Sequence, residues 1–110
     1  MSLRMRKYKS ELKLIASCRP GTRRLLFRWA DAEFIQSIVD VAQTVLEGQL
    51  PLLKYDKIKI ARNNDVLQKI ADRNRTVMFK RTLLITKKGE SAVIDLLHVA
   101  NKYFAIPNRI

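Results

Sequence analysis

The feature that most narrows the folds open to this chain is an apolar run at three- and four-residue spacing: Phe34, Ile35, Ile38, Val41, Ala42, Val45 and Leu46. Side chains so spaced share one face of an α-helix, whereas a strand would need a period of two. The ends agree. Asp31 has the short acceptor side chain of an N-cap, Glu33 puts negative charge in the first turn, and Gly48 can take the left-handed conformation that closes a helix. A helix over 31–47 is predicted, with its apolar face in the core. Only three glycines and three prolines occur in 110 residues, too few for the turns of an all-β domain.

Other segments read the same way. Leu12, Ile15 and Ala16 predict a short helix that stops at Pro20 and Gly21, since the residue before a proline avoids the helical region. Thr22 is placed to cap a second short helix, with Leu25, Leu26 and Trp29 turned inward. After a loop around Pro51, residues 54–72 offer Ile60, Leu67, Ile70 and Ala71 as an inner face. Within that stretch Lys57-Ile58-Lys59-Ile60 alternates as a strand would, and Asn63-Asn64 marks a break point. Thr76 caps a further helix through Phe79, Leu83 and Leu84 to Gly89. A final helix over 91–104 buries Val93, Leu96, Leu97, Ala100 and Phe104, with Pro107 beyond it. The expectation is one compact all-α domain of five or six short helices, with residues 1–9 as a basic N-terminal arm.

Charge divides the chain more sharply than hydropathy does. Lys and Arg number 22 against 10 Asp and Glu, a formal charge of +12. Residues 1–28 and 54–88 hold almost all of the cations, and 29–53 holds four acids with no Lys or Arg. So large an imbalance repels itself unless an anionic partner neutralises it. Clustered Lys and Arg neutralise phosphates and gain affinity by releasing counterions. The candidate phosphate contacts are Arg4, Arg6, Lys7, Lys9, Arg19, Arg23, Arg24 and Arg28 in the first block. In the second they are Lys57, Lys59, Arg62, Lys69, Arg73, Arg75, Lys80, Arg81, Lys87 and Lys88. Tyr8 and Trp29 are interleaved with the first group, as bases of a single strand would require, but Trp29 reads first as a core anchor.

Little in the chain points to catalysis. One cysteine, Cys18, and one histidine, His98, supply neither a disulfide nor a zinc cluster. Glycine-rich phosphate loops and nucleophile motifs are absent. Glu33, Asp40 and Glu47 stand one heptad apart, about 10 Å, too far to share a metal ion. They form instead an acidic stripe, a candidate protein-interaction surface for a second copy or a capsid protein. The reading is a non-enzymatic protein with no cofactor, metal or small-molecule substrate. A helix-turn-helix exists in outline at 22–47, but its recognition helix would be acidic, the wrong sign for a major groove. No apolar run approaches the ~18 to 20 residues of a membrane helix, and residues 1–28 lack a signal-peptide core. An intracellular place, or the inside of a particle, is expected.

The order of short motifs carries a resemblance. Arg23-Arg24-Leu25-Leu26, Ala30-Asp31 with Phe34-Ile35, and Val45-Leu46-Glu47-Gly48 leading to Leu50-Pro51-Leu52 come first. Val66 to Asp72, Lys80-Arg81-Thr82-Leu83-Leu84 and Lys87-Lys88-Gly89 follow. Over about residues 12–89 this order resembles the small basic proteins of Polinton/Maverick-type DNA elements and the related adintoviruses. The resemblance implies a virion-associated role beside the packaged genome, with DNA ahead of RNA as ligand, in the host nucleus or the virion interior. The chain departs from that pattern at Ile58, Ile60, Asn63, Asn64 and Asp65, where the family's basic run is denser. It departs again at Glu90, Asp95 and Lys102, which interrupt the apolar tail.

Overall fold

The computed structural model describes residues 3–48 and 50–104. Along them the chain forms eight α-helices and no strand: α1 (Leu3–Lys7), α2 (Lys9–Ser17), α3 (Pro20–Trp29), α4 (Ala32–Leu46), α5 (Lys54–Arg62), α6 (Asn64–Ala71), α7 (Val77–Leu84) and α8 (Lys87–Phe104). The ends of α4 are those its sequence predicts. Asp31 Oδ1 accepts from Phe34 N at 2.8 Å, and Gly48 closes the helix at φ +72°.

α4 lies at the centre, against α1, α6, α7 and α8. Being covered on several sides, it buries Val39 and Ser37 as well as the predicted face. The Ser37 hydroxyl donates to Phe34 O at 2.5 Å, which removes the penalty of burying it. α8 is the second long core element, with Val93, Leu96, Leu97, Val99 and Ala100 fully buried. α2, α5, α6 and α7 pack around it, and the buried apolar side chains form one cluster. Each Leu, Ile, Val or Phe in it contributes roughly 1.5–3 kcal/mol relative to exposure. The Cα radius of gyration is 12.8 Å, as expected of one globule of this length.

The count of eight corrects the expected five or six, for two local reasons. Residues 3–7 are not a free arm: they form a helix whose Met5 is buried and whose Arg4 is ion-paired to α4. The predicted helix over 54–72 is two helices, because Asn63 turns its side chain on the backbone and donates to Lys59 O at 2.9 Å. The strand-like alternation at 57–60 is helical.

Three boundaries also move. α3 starts at Pro20, whose fixed φ suits the first helical position, rather than at a Thr22 cap. Thr76 does cap α7, accepting from Phe79 N at 3.1 Å, but α7 stops at Leu84 and Gly89 belongs to α8. There the two helices meet so closely that a Cβ on Gly89 would lie 1.8 Å from Leu83 O. Thr86 holds this corner: its hydroxyl accepts from Gly89 N (3.0 Å) and donates to Leu83 O (2.6 Å). On the final helix Val93, Leu96, Leu97 and Ala100 face the core as expected. The side chain of Phe104, and Pro107, lie outside what is described.

The largest departure is in α3. Leu25, Leu26 and Trp29, expected inward, are 57%, 39% and 79% exposed, and the buried positions are Arg23 and Phe27.

Candidate nucleic-acid interface

Helices α2 and α3 end without a glycine, so their last carbonyls need donors from elsewhere. Two arginines supply them. The buried Arg23 donates from Nε to Ile15 O (2.6 Å) and from Nη2 to Ala16 O (3.3 Å) and Cys18 O. From α7, Arg81 Nη1 donates to Phe27 O (3.1 Å), Arg28 O (3.2 Å) and Ala30 O, closing α3. A cation at a helix C-terminus also meets the negative end of the dipole. Both arginines, candidate phosphate contacts in the sequence, serve the fold. His98 Nε2 adds a donor to Ala16 O at 3.1 Å, so that nitrogen is the protonated one.

A second group of candidates is ion-paired within the chain. Arg4 bonds Asp40 (2.9 Å), Lys7 bonds Glu33 (2.8 Å), Arg73 bonds Glu47 (3.4 Å) and Arg75 bonds Asp72 (3.5 Å). Arg75 also lies over the Phe79 ring, 4.5 Å from its centroid. The acidic stripe is thus occupied: Glu33 and Asp40 hold α1 on α4, and Glu47 meets the loop after α6. The Glu33 bond and charge raise the Lys7 pKa above the ordinary lysine value. Lys80 is buried, and burial pushes its pKa below the ordinary value despite the charges of Asp72 and Asp40. Lys102, named from sequence only as an interruption of the apolar tail, bonds the buried Asp56 (2.5 Å) and holds that carboxyl below its usual range.

What remains of the candidates is a set in no ion pair among the described residues: Arg6, Lys9, Arg19, Arg28, Lys57, Lys59, Arg62, Lys69, Lys87 and Lys88. Several of them converge. Gly21, Arg24, Leu25, Arg28 and Ile85 line one surface recess of about 390 Å³. Arg24 also lines the next, of about 410 Å³, with Pro20, Lys87, Glu90, Ser91 and Ile94. Lys88, following Lys87, lines a third with Arg62, Asn63 and Asp65 at the junction of α5 and α6. The first two recesses thus share Arg24 and carry Arg28, Arg24 and Lys87, and the third carries Lys88, the next residue on α8, with Arg62. We call these five cations, on α3, the first turn of α8 and the end of α5, the track. It joins cations from both basic blocks. The carboxylates along it are Asp65 and the buried Glu90, whose Oε2 stands 3.2 Å from Arg24 Nε. That contact orients Arg24. Arg6, Lys9, Arg19, Lys57, Lys59 and Lys69 lie outside the three recesses.

Among the described residues no three His, Cys, Asp or Glu side chains gather as metal ligands, and no helix is long and apolar enough to cross a membrane. Comparison of the chain with protein-family models, with curated proteins and with solved structures finds no match.

Proposed function

We propose that the protein binds nucleic acid through its phosphates, using the track from Arg28 to Arg62, as a non-enzymatic virion-core or packaging protein of a DNA virus or virus-derived element. The observation that carries this reading is that Arg24 joins the recess of Arg28 to that of Lys87, with Lys88 and Arg62 lining a third recess. Arginine and lysine there face solvent, where released counterions add to affinity. The net charge of +12 supplies the long-range attraction. Contacts to phosphate carry no base information, so duplexes of different sequence are bound alike. The resemblance to the basic proteins of Polinton-type elements favours a ligand in a particle or a host nucleus, with DNA ahead of RNA. The alternative, self-association through Glu33, Asp40 and Glu47, starts from carboxylates already paired within the chain.

The test is retention of a duplex of ~20 base pairs across a salt series. With five track cations engaged, log affinity should fall against log salt with a slope of about −4.5. Absence of retention at ~50 mM salt would overturn the proposal.

A further inference from the structure

The face of α3 that failed to enter the core remains without a role. Trp29, the chain's one tryptophan, is 79% exposed and has no aromatic or cation-π partner among the described residues. It lines an open, largely apolar recess of about 300 Å³ with Leu14, Leu26 and Tyr8. Tyr8 packs edge-on against Phe34, centroids 5.3 Å apart and planes at 70°, which fixes that wall. Arg24 and Arg28 stand one helical turn apart on α3, and Leu25 and Trp29 occupy the adjoining ridge. Phosphate-binding cations and an unpartnered ring therefore sit side by side on one short, rigid element.

We infer that this recess takes up an unpaired nucleobase stacked on Trp29 while Arg24 and Arg28 hold the neighbouring phosphates, so that the preferred ligand is single-stranded. The inference rests on the phosphate reading and adds to it. A charged groove beside an exposed ring is how strands are held without sequence readout, because every base has a π-face. Bases within a duplex are stacked on one another and offer no such face. The carboxylates on the rim, Glu11 and Asp31, suit a base better than a phosphate. Glu11 has no ion-pair partner among the described residues and can accept a base amino hydrogen, whereas Asp31 caps α4.

Single-stranded oligothymidylate of ~20 nucleotides and a duplex of equal length, each at ~50 mM salt, are titrated into the full chain while Trp29 emission and bound fraction are followed. The single strand should quench the emission and the duplex should not. Trp29→Ala should weaken single-strand binding about tenfold or more, with duplex binding and its salt slope unchanged, and Trp29→Phe should restore most of the loss. The exposed position leaves the fold intact, which far-ultraviolet circular dichroism checks. Duplex binding with neither quenching nor an effect of Trp29→Ala would overturn the stacking inference and leave the phosphate reading standing. Failure of the parent chain to bind either ligand would overturn both. A sedimentation mass above that of one chain, reduced to one chain by Trp29→Ala, would assign the recess to a second copy and likewise overturn base stacking.

Discussion

Helices α1 and α3 each carry three cations, Arg4, Arg6 and Lys7 on the one and Arg23, Arg24 and Arg28 on the other. Across from α1 stand Glu33 and Asp40, so two of its three are held in ion pairs that dock the helix on α4. Across from α3, among the described residues, stands Glu90, buried between Arg23 and Arg24, and Arg28 has no ion pair there. The sign of a surface is thus set by which carboxylates the fold brings opposite it. Local sequence gives the supply of charge, and packing decides how much of it stays available.

Experiments that separate the two regions follow from this contrast. The largest effect is expected from reversing Arg24, Arg28, Lys87 and Lys88 to Glu together. Nucleic-acid affinity at moderate salt should drop on the order of a thousandfold, with a shallower salt slope. Neutralising Arg4 and Lys7 should leave affinity within a few-fold. Equal losses in the two variants would erase the distinction.

Gly89→Ala attacks the support of the track instead. A methyl group 1.8 Å from Leu83 O forces α7 and α8 apart, and a loss of about 3 kcal/mol or more is expected in denaturant unfolding. Asp40→Asn converts the clamped region toward the open one. It releases the Arg4 guanidinium and should lower stability by about 1 kcal/mol, a fall of about 4 °C or more in Tm. It should also hasten proteolysis within the first eight residues.

The smallest effect concerns the Lys102 bond to Asp56. The folded pKa of Asp56 is lowered, so the unfolded chain binds the proton more tightly. The stability from this bond is therefore present above the unfolded carboxylate value and lost as pH falls through the folded one. Lys102→Met should be slightly less stable than the parent at neutral pH, and the gap should close in acid. A gap that persists once Asp56 is protonated in both the folded and the unfolded chain would mean the lysine acts through its packing rather than its charge.

α4 was legible because every local signal agreed: the period, the Asp31 cap, the Gly48 stop. α3 was not, because its apolar pattern pointed Leu25, Leu26 and Trp29 inward while the carbonyls ending α2 drew Arg23 inward instead. A signal was available. The stretch Ser17-Cys18-Arg19-Pro20 has no glycine to close α2, so a side-chain donor had to come from elsewhere. The same logic underlies Arg81 at the end of α3. As for the interface, the five cations of the track were all named from sequence, along with six that the fold uses for its own bonds. Apart from Arg75, whose Asp72 is three residues away, the second set is held by long-range partners, and one-dimensional pattern carries no record of those.

Arg81 and the corner at Gly89 have a joint consequence. The guanidinium fastens α7 to the end of α3, and the glycine lets α7 abut α8 with no intervening side chain. The three helices therefore form a single stiff body, and the groups that would meet a ligand are already in place before it arrives. Little conformational entropy is left for the protein to lose on association, so the adjustment falls to the ligand, and a pliant chain should be accepted more readily than a stiff rod.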